Sequence, residues 1–440
     1  MTVIYAGYNI PDIIMSKNDI AKIREEVNPV FNTARSCLQI TSSLGDEDSE
    51  KLCRILGFSS MSVEQKKSIS KLPPKLAESL AMAMPAFNVA VEARFLGMNN
   101  YIRETGAKQV LDLPCGYTSR GIKLAESGIK YFGTDLPAVI DEIKPAVKQL
   151  IGDNKNITYS AVDATNYASL RKAVDGANGE LTIATEGLLV YFSQTDLETV
   201  FGNIRKLLLE FGGRWITPDN ELHVASGKIL SALLSGMPSD AAVQIADMAA
   251  GNAAKTKVSN NIFFDKDLDK AKKFVSDMGF QLELVPMSKY MPGELSSFRQ
   301  TPKEARDRAM KVLNSVNYWV MTPKTGITEN FSYEEEKFNA AIQLNDNTLN
   351  ISLSGRLDTI SAPGLLALYR EAADKSVITD VTIDCTRLDY VSSAGLRVFL
   401  IIQKSCASGV TLTGVSPDVE SILEQTAFDS ILNIEKKVIR

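Results

Sequence analysis

Two kinds of hydrophobic pattern follow one another along the chain, and the change comes near Lys108. Up to about residue 100, apolar positions recur at three- and four-residue steps, for example at 18–23 and 76–82, which predicts helices. After Lys108, short apolar runs alternate with longer amphipathic segments. The runs predict strands at 109–113, 131–135, 157–162, 181–185, 214–218 and 280–285, and the segments predict helices at 118–127, 144–151 and 195–209. This alternation predicts an α/β fold with a mostly parallel sheet covered on both faces.

The rest of the chain divides into three further segments. Residues 221–265 are rich in Ala, Met and Ser and predict a helical lid, while 318–321 predict a closing strand. The polar, acidic stretch 326–337 is typical of a linker. A second alternation then begins, with strands at 340–344, 349–353, 381–383 and 410–413 and helices at 365–373 and 395–405. We therefore expect a helical cap (1–100), an α/β body (101–325), the linker (326–337) and a small α/β domain (338–440).

Composition narrows the classes of function. The chain has 440 residues, 45% of them hydrophobic, and a formal net charge of -5, so a basic face for nucleic acid or a membrane surface is not expected. No apolar run reaches the length of a membrane span, and the N-terminus lacks the features of a signal peptide. Five scattered cysteines predict reduced thiols in the cytoplasm. The single histidine, His223, argues against a histidine-based catalytic triad or metal site.

Acidic residues follow four of the predicted strands. Asp112 ends the first strand and precedes a turn at Gly116, Asp135 ends the second, Asp163 follows the third and Glu186 the fourth. The carboxyl ends of parallel strands meet at one edge of a sheet, so these side chains are expected to line one ligand cleft. A carboxylate at the second strand suits a ribose diol. The alternative for Asp112 and Asp163 is a helix or turn cap.

The spacing of the glycines in this turn argues against a dinucleotide cofactor. A dinucleotide-binding turn has the spacing GxGxxG, whereas this turn has Gly116 and a later Gly121. The runs at 109–120, 134–137, 162–163 and 186–191, with Arg94 upstream and Lys144 downstream, resemble the leucine carboxyl methyltransferase family. That family is a branch of the Rossmann-like class I S-adenosylmethionine-dependent methyltransferases. This chain departs from it at 114–115, where Pro and Cys replace small residues.

The resemblance implies a role for each candidate residue. Gly116 would lie beside the methionine part of S-adenosylmethionine, and Asp135 would bind its ribose. Asp163 would contact adenine, Glu186 the methionyl ammonium and Arg94 the methionyl carboxylate. Asp112 completes the predicted cofactor site. A carboxylate or other small-molecule oxygen acceptor is implied, and an ionised carboxylate needs no general base, so no catalytic residue is named.

The second domain carries a different resemblance. Its runs at 353–359 and 384–398 resemble the STAS domain of anti-sigma-factor antagonists, in which a Ser or Thr at this turn is phosphorylated by a partner Ser/Thr kinase. Here Ala394 stands at the usual acceptor position, and Ser393 is the nearest hydroxyl, with Ser392 before it. A phosphate there would meet the positive end of a helix dipole. The alternative is that these serines only cap the helix.

Two functions remain open at this point. The first is a methyltransferase whose STAS domain couples it to a regulatory partner. The second is a non-catalytic regulator in which a methyltransferase-like body serves as sensor or scaffold. Binding of S-adenosylmethionine separates an active or cofactor-sensing body from a purely structural one.

Overall fold

The computed structural model describes residues 3–5, 8–10, 33–58, 74–234, 261–263, 267–326, 328–376, 378–406 and 409–435. The chain divides into two compact units. The first comprises residues 1–203, 213–278 and 282–321, and the second comprises 204–212, 279–281 and 322–440. Among the described residues, no helix combines the length and the apolar character that crossing a membrane requires.

The first unit is built on a seven-stranded sheet. Its strands are β3 (Gln109–Asp112), β4 (Lys130–Asp135), β5 (Ile157–Ala161), β6 (Leu181–Ala184), β7 (Gly213–Thr217), β8 (Phe280–Pro286) and β9 (Asn317–Pro323). Their order is β5-β4-β3-β6-β7-β9-β8, with parallel pairing from β5 to β7 and β9 antiparallel to β7. This confirms the predicted α/β class and the mostly parallel, Rossmann-like sheet. The strand order reverses between β3 and β6, which is where such sheets bind ligands.

Helices alternate with these strands and precede them. They are α1 (33–43), α2 (Glu47–Ile55), α3 (Pro74–Glu104), α4 (Arg120–Glu126), α5 (Pro137–Ile151), α6 (Tyr167–Ala173), α7 (Gln194–Phe211), α8 (Asp219–Leu233), α9 (Leu268–Asp277) and α10 (Lys303–Leu313). Helix α3 begins at a proline, a position where the missing N–H costs little. Strands β3 and β6 are buried along their whole length, as expected for a parallel sheet covered on both faces.

The cap and the lid of the first unit differ in how far they follow the sequence-based predictions. The cap was expected to be helical throughout, but its start forms two short antiparallel strands, β1 (Val3–Tyr5) and β2 (Tyr8–Ile10). The helix predicted at 18–23 lies outside the described residues. The expected lid begins as α8, and residues 235–260 are likewise not described. Three-residue strands are too short to show the alternation that distinguishes a strand from a helix, which explains why β1 and β2 were not predicted.

The second unit contains a six-stranded sheet in sequence order. Its strands are β10 (Thr328–Glu335), β11 (Phe338–Asn345), β12 (Thr348–Leu357), β13 (Asp380–Val391), β14 (Val410–Thr413) and β15 (Asn433–Ile434). The helices are α11 (Ala362–Ala373), α12 (Ser393–Ser405) and α13 (Pro417–Gln425). Buried and exposed residues alternate strictly along β11, so one face of the sheet packs on the core. Pairing is antiparallel from β10 to β12 and parallel from β12 to β15.

The predicted linker at 326–337 is wrong over most of its length. Residues Thr328–Glu335 form an edge strand that pairs with eight residues of β11. Phe331 and Tyr333 pack against the core of this unit, while Ser332 between them and Glu334 after them are more exposed. The acidic composition reflects the solvent face of an edge strand, where charges discourage pairing with another chain.

Candidate functional site

Polar and charged side chains gather where β3, β4 and β6 end. The strands are parallel neighbours, so Asp112, Asp135 and Glu186 come to the same edge of the sheet. This edge is the switch point between β3 and β6. The expected convergence of the strand-end acids is therefore present for these three residues.

Arg120 lies at the centre of a buried ion network. Its Nη1 donates to Asp112 Oδ1 at 2.9 Å, its Nη2 donates to Glu186 Oε2, and its Nε donates to Asn99 Oδ1 at 2.8 Å. The Arg120 side chain is 1% exposed. Burial acts to lower the pKa of Arg120, but the charges of Asp112 and Glu186 outweigh it and raise that pKa. The guanidinium is thus a fixed cation that orients Glu186.

Asp112 has a different role from the one predicted. It is fully buried, its Oδ1 accepts from Arg120, and its Oδ2 accepts from the Tyr131 hydroxyl at 2.7 Å. The side chain has no exposed surface and both oxygens are engaged inside the protein, so the carboxylate is not presented to a ligand. Its part in the site is to hold Arg120 in place.

The Glu186 carboxylate and the Arg94 guanidinium are oppositely charged groups that could each make a further hydrogen bond to a ligand. The Glu186 side chain is 9% exposed, and its Oε1 has no hydrogen-bond partner among the described residues. Arg94 Nη2 donates to Cys37 Sγ at 3.2 Å, a weak acceptor. Arg94 and Glu186 lie close enough to interact electrostatically. Burial acts to lower the pKa of Arg94, but the charges of Cys37, Glu186 and Asp219 outweigh it and raise that pKa. A buried carboxylate oxygen without a donor is costly unless a ligand supplies one.

The turn after β3 brings Gly116 to Asp135. Gly116 has a φ of +53°, a conformation that glycine adopts without steric cost. Its N–H donates to Asp135 Oδ2 at 2.8 Å, and the Leu136 N–H donates to Asp135 Oδ1 at 2.7 Å. Burial raises the pKa of Asp135 to about 6, although the two N–H groups act to lower it. Each oxygen keeps a second lone pair for a ligand hydroxyl.

Asp163 lies at the exposed end of β5. Its Oδ1 accepts from the Thr165 N–H at 2.9 Å and from the Thr165 hydroxyl at 2.7 Å, which closes a local turn. The turn cap considered as an alternative is therefore present. Contact with adenine stays a prediction for this residue.

Sequence reasoning gave no role to Asp219, Asn220 and Arg120. Asp219 follows β7 as the other acids follow their strands, so the strand-end rule was sufficient to find it. Burial raises the pKa of Asp219, while hydrogen bonds from three backbone N–H groups act to lower it. Asn220 is 1% exposed, and neither polar atom of its side chain has a partner among the described residues. Arg120 stood within the quoted motif, but only the fold shows what it contacts.

The start of α12 forms the second candidate site. The Ser392 hydroxyl caps the helix by accepting from the Gly395 N–H at 3.4 Å, and the Ser392 N–H donates to the Leu357 carbonyl at 2.8 Å. Ser393 is the first helical residue and is exposed. The cap belongs to Ser392, so Ser393 is left as the accessible hydroxyl. Its phosphorylation stays a prediction.

The loop after β12 borders this site. Asp358 follows Leu357, and its Oδ1 accepts from the N–H groups of Ile360 at 2.9 Å and Ser361 at 3.3 Å, which lower its pKa. Ile360 is 71% exposed, which is unusual for a large apolar side chain. The carboxylate therefore shapes its own loop beside the helix start.

The two units are similar to different kinds of known protein. The STAS domain profile matches residues 339–439. A putative anti-sigma factor antagonist, BtrV, from Bordetella bronchiseptica is 34% identical over 92 residues, which are 20% of this chain and 78% of that protein. A solved anti-sigma factor antagonist from Mycobacterium paratuberculosis is 16% identical, and the match covers 24% of this chain and 91% of that one with a TM-score of 0.22.

The first unit has solved neighbours of a different kind. Magnesium protoporphyrin IX methyltransferase from Synechocystis PCC 6803, solved with bound SAH, is 14% identical. The match covers 62% of this chain and 91% of that one, with a TM-score of 0.32. Scores this low carry no inference about activity or substrate. Membership of the leucine carboxyl methyltransferase family stays a prediction.

Proposed function

Through residues 339–439 the chain belongs to the STAS-domain family, and we propose that its first unit is an S-adenosylmethionine-dependent O-methyltransferase with a carboxyl-type acceptor. The observation that carries this proposal is the unpartnered Oε1 of Glu186 beside Arg94 at the sheet's switch point. An amino-acid zwitterion needs this pair of groups. Its ammonium donates to a carboxylate, and its carboxylate accepts from a guanidinium.

The charges of the buried network fit the cofactor. Asp112, Glu186 and Asp219, when ionised, carry three negative charges against the two positive charges of Arg94 and Arg120. S-adenosylmethionine carries a sulfonium, an ammonium and a carboxylate, so it brings one net positive charge. Binding would therefore neutralise a buried cluster that otherwise holds an excess negative charge.

The neighbouring strand supplies a second part of the site. Asp135 is held by the N–H groups of Gly116 and Leu136, and its remaining lone pairs suit the two hydroxyls of a ribose. Asp163 lies at the end of the next strand, where adenine would extend. The adenosine and the methionine parts would thus follow the strand ends from β5 to β6.

The methyl transfer requires little from the protein beyond the positioning of the cofactor and the acceptor. When bound, S-adenosylmethionine supplies a methyl group that an acceptor oxygen takes while the sulfur keeps the bonding electron pair. A carboxylate acceptor is ionised at neutral pH, so no side chain has to remove a proton. Orientation of the two reactants then supplies most of the rate enhancement.

The second unit would provide regulation. We propose that the start of α12 is recognised by a Ser/Thr kinase of the anti-sigma-factor type and that Ser393 receives the phosphate. The similarity to BtrV and the exposure of Ser393 support this. A phosphate at a helix N-terminus is stabilised by the helix dipole and changes the local surface. The same similarity also supports the second candidate function, a non-catalytic antagonist whose first unit senses the cofactor.

Calorimetric titration of the full chain with S-adenosylmethionine tests the proposal. We expect saturable binding, and we expect Glu186→Gln to weaken it about 10- to 100-fold, because the variant loses a charge-assisted hydrogen bond to the ammonium. Glu92→Gln is the matched control, since Glu92 is also a buried carboxylate in the first unit but accepts from the N–H groups of Ser296 and Ser297.

Three results would distinguish the possibilities. Absence of binding by the wild-type chain would refute the methyltransferase. Unchanged affinity in Glu186→Gln would refute the site assignment but not the fold. If labelled methyl groups are transferred, a carboxyl ester releases labelled methanol in alkali, whereas an ether retains the label.

A further inference from the structure

Asp219 makes an unusual set of hydrogen bonds at the edge of the candidate site. Its Oδ1 accepts from the Gly187 N–H at 2.7 Å, and its Oδ2 accepts from the N–H groups of Leu188 at 2.9 Å and Leu189 at 3.0 Å. Asp219 is buried at the first position of α8. One carboxylate therefore binds three consecutive backbone amides of the segment that follows β6.

The three amides belong to the residues immediately after Glu186. Gly187 has a φ of +65°, so the backbone turns sharply at this point in a conformation that favours glycine. Amides in such a turn cannot bond within the sheet and need an acceptor. Asp219 supplies that acceptor, and it fixes the direction in which the chain leaves Glu186.

Glu186 is consequently restrained from two sides. Arg120 holds one oxygen of its side chain, and Asp219 holds the backbone that follows it. With both restraints present, Oε1 remains buried and without a partner among the described residues. Loss of either restraint would let the side chain move to a donor inside the protein or to water.

We propose that Asp219 is a positioning residue that holds the 187–189 segment so that Glu186 presents Oε1 to the ammonium of an amino-acid-bearing ligand. This inference rests on the proposed function. It adds that the amino-acid end of the ligand, and not its adenosine end, depends on Asp219. In this positioning role Asp219 acts through the backbone, because its carboxylate accepts from the amides of residues 187–189.

Two ligands separate this role from a general effect on folding. S-adenosylhomocysteine has the methionyl-type zwitterion, whereas 5′-methylthioadenosine keeps the adenosine and the thioether but lacks the amino acid. In Asp219→Asn the side chain keeps its shape but turns one NH2 group toward backbone N–H donors, so the segment shifts. We expect S-adenosylhomocysteine to bind about 10- to 100-fold more weakly, with the Kd of 5′-methylthioadenosine within about twofold of wild type.

A second variant and a control complete the experiment. Gly187→Ala strains the same turn without touching Asp219, and it should show the same selective loss of S-adenosylhomocysteine affinity. Glu92→Gln removes a comparable carboxylate clamp on another loop, at Ser296 and Ser297, and should leave both affinities unchanged. Binding of 5′-methylthioadenosine also verifies that each variant is folded.

The outcomes are distinct. Equal weakening of both ligands in Asp219→Asn and Gly187→Ala, or no weakening of either, would overturn the positioning role while the proposed function stands. If the wild-type chain binds neither ligand, the proposed function fails and this inference fails with it. Selective loss of S-adenosylhomocysteine in both variants, but not in Glu92→Gln, supports the proposal.

Discussion

At the scale of single residues, Asn220 differs from other buried amides of the first unit. Its side chain is buried, and neither of its polar atoms has a partner among the described residues. Asn261 is also buried, but it donates to the carbonyls of Leu189 and Phe192 and accepts from the Phe263 N–H. A satisfied amide stabilises its surroundings, whereas an unsatisfied amide costs free energy.

This contrast gives a stability prediction. Asn220→Leu should raise the free energy of unfolding of the first unit by about 1–2 kcal/mol, because it removes two desolvated polar groups. Asn261→Leu should lower that free energy by about 1–3 kcal/mol, because it leaves backbone groups without partners. Calorimetric unfolding of the ligand-free full chain measures both. A loss of stability in Asn220→Leu equal to that in Asn261→Leu would contradict the prediction.

Asp135 gives a prediction about pH. Burial raises its pKa from 3.8 to about 6 in the folded protein. The folded state therefore favours the protonated carboxyl, and this stabilisation is full below about pH 4 and is lost as pH rises through about 6. The difference of about two pKa units corresponds to about 3 kcal/mol. Asp135→Asn stays neutral, so its stability should fall less than that of the wild type between pH 4 and 7.

The measurement is the unfolding temperature of both proteins across this pH range. Comparing the two slopes removes the contribution of all other titrating groups. Parallel curves would show that Asp135 titrates as it does in the unfolded chain.

At the scale of elements, two neighbouring serines at the start of α12 are assigned different roles, one as the helix cap and the other as the candidate phosphorylation site. Ser392 caps the helix, while Ser393 is its first residue and is exposed. Ser392→Ala should cost about 1 kcal/mol and speed amide exchange at Gly395 about fivefold, whereas Ser393→Ala should leave exchange unchanged. Amide hydrogen exchange of the full chain measures both effects.

The same pair of variants tests the phosphorylation proposal. With a cognate kinase, intact-mass measurement should show the added phosphate in the wild type and in Ser392→Ala but not in Ser393→Ala. A phosphate that persists in Ser393→Ala would contradict the choice of residue. Faster exchange in Ser393→Ala than in Ser392→Ala would instead contradict the assignment of the cap.

The elements also show where periodicity succeeds as a predictor. Strands β3, β4 and β6 and helix α4 follow their sequence patterns, because an amphipathic or fully apolar segment is marked within a few residues. Helix α5 begins at Pro137, before the predicted start at residue 144, and α6 was not predicted. Strand β10 was missed because its exposed face is acidic and its two core contacts, Phe331 and Tyr333, form a weak pattern. An edge strand depends on its neighbour, which lies outside any local window.

At the scale of the whole molecule, the chain consists of two units that each have a hydrophobic core. The first unit contains the candidate cofactor site, and the second contains the STAS domain. Apart from the predicted linker, most of which forms strand β10, the proposed domain boundaries stay predictions. The sequence predicted two α/β domains, because the alternation of strands and helices occurs twice along the chain.

The sequence alone determined the α/β class, the STAS resemblance and the acidic residues at the strand ends, because these depend on local periodicity and on short motifs. Only the tertiary structure decided what the acids do. Asp112 is sequestered by Arg120 and Tyr131, and Glu186 is left with an open oxygen. Asp219 accepts from amides that are 30 to 32 residues away in the chain. Such contacts depend on which distant groups the fold brings together in a buried, weakly screened environment, and no local pattern records that.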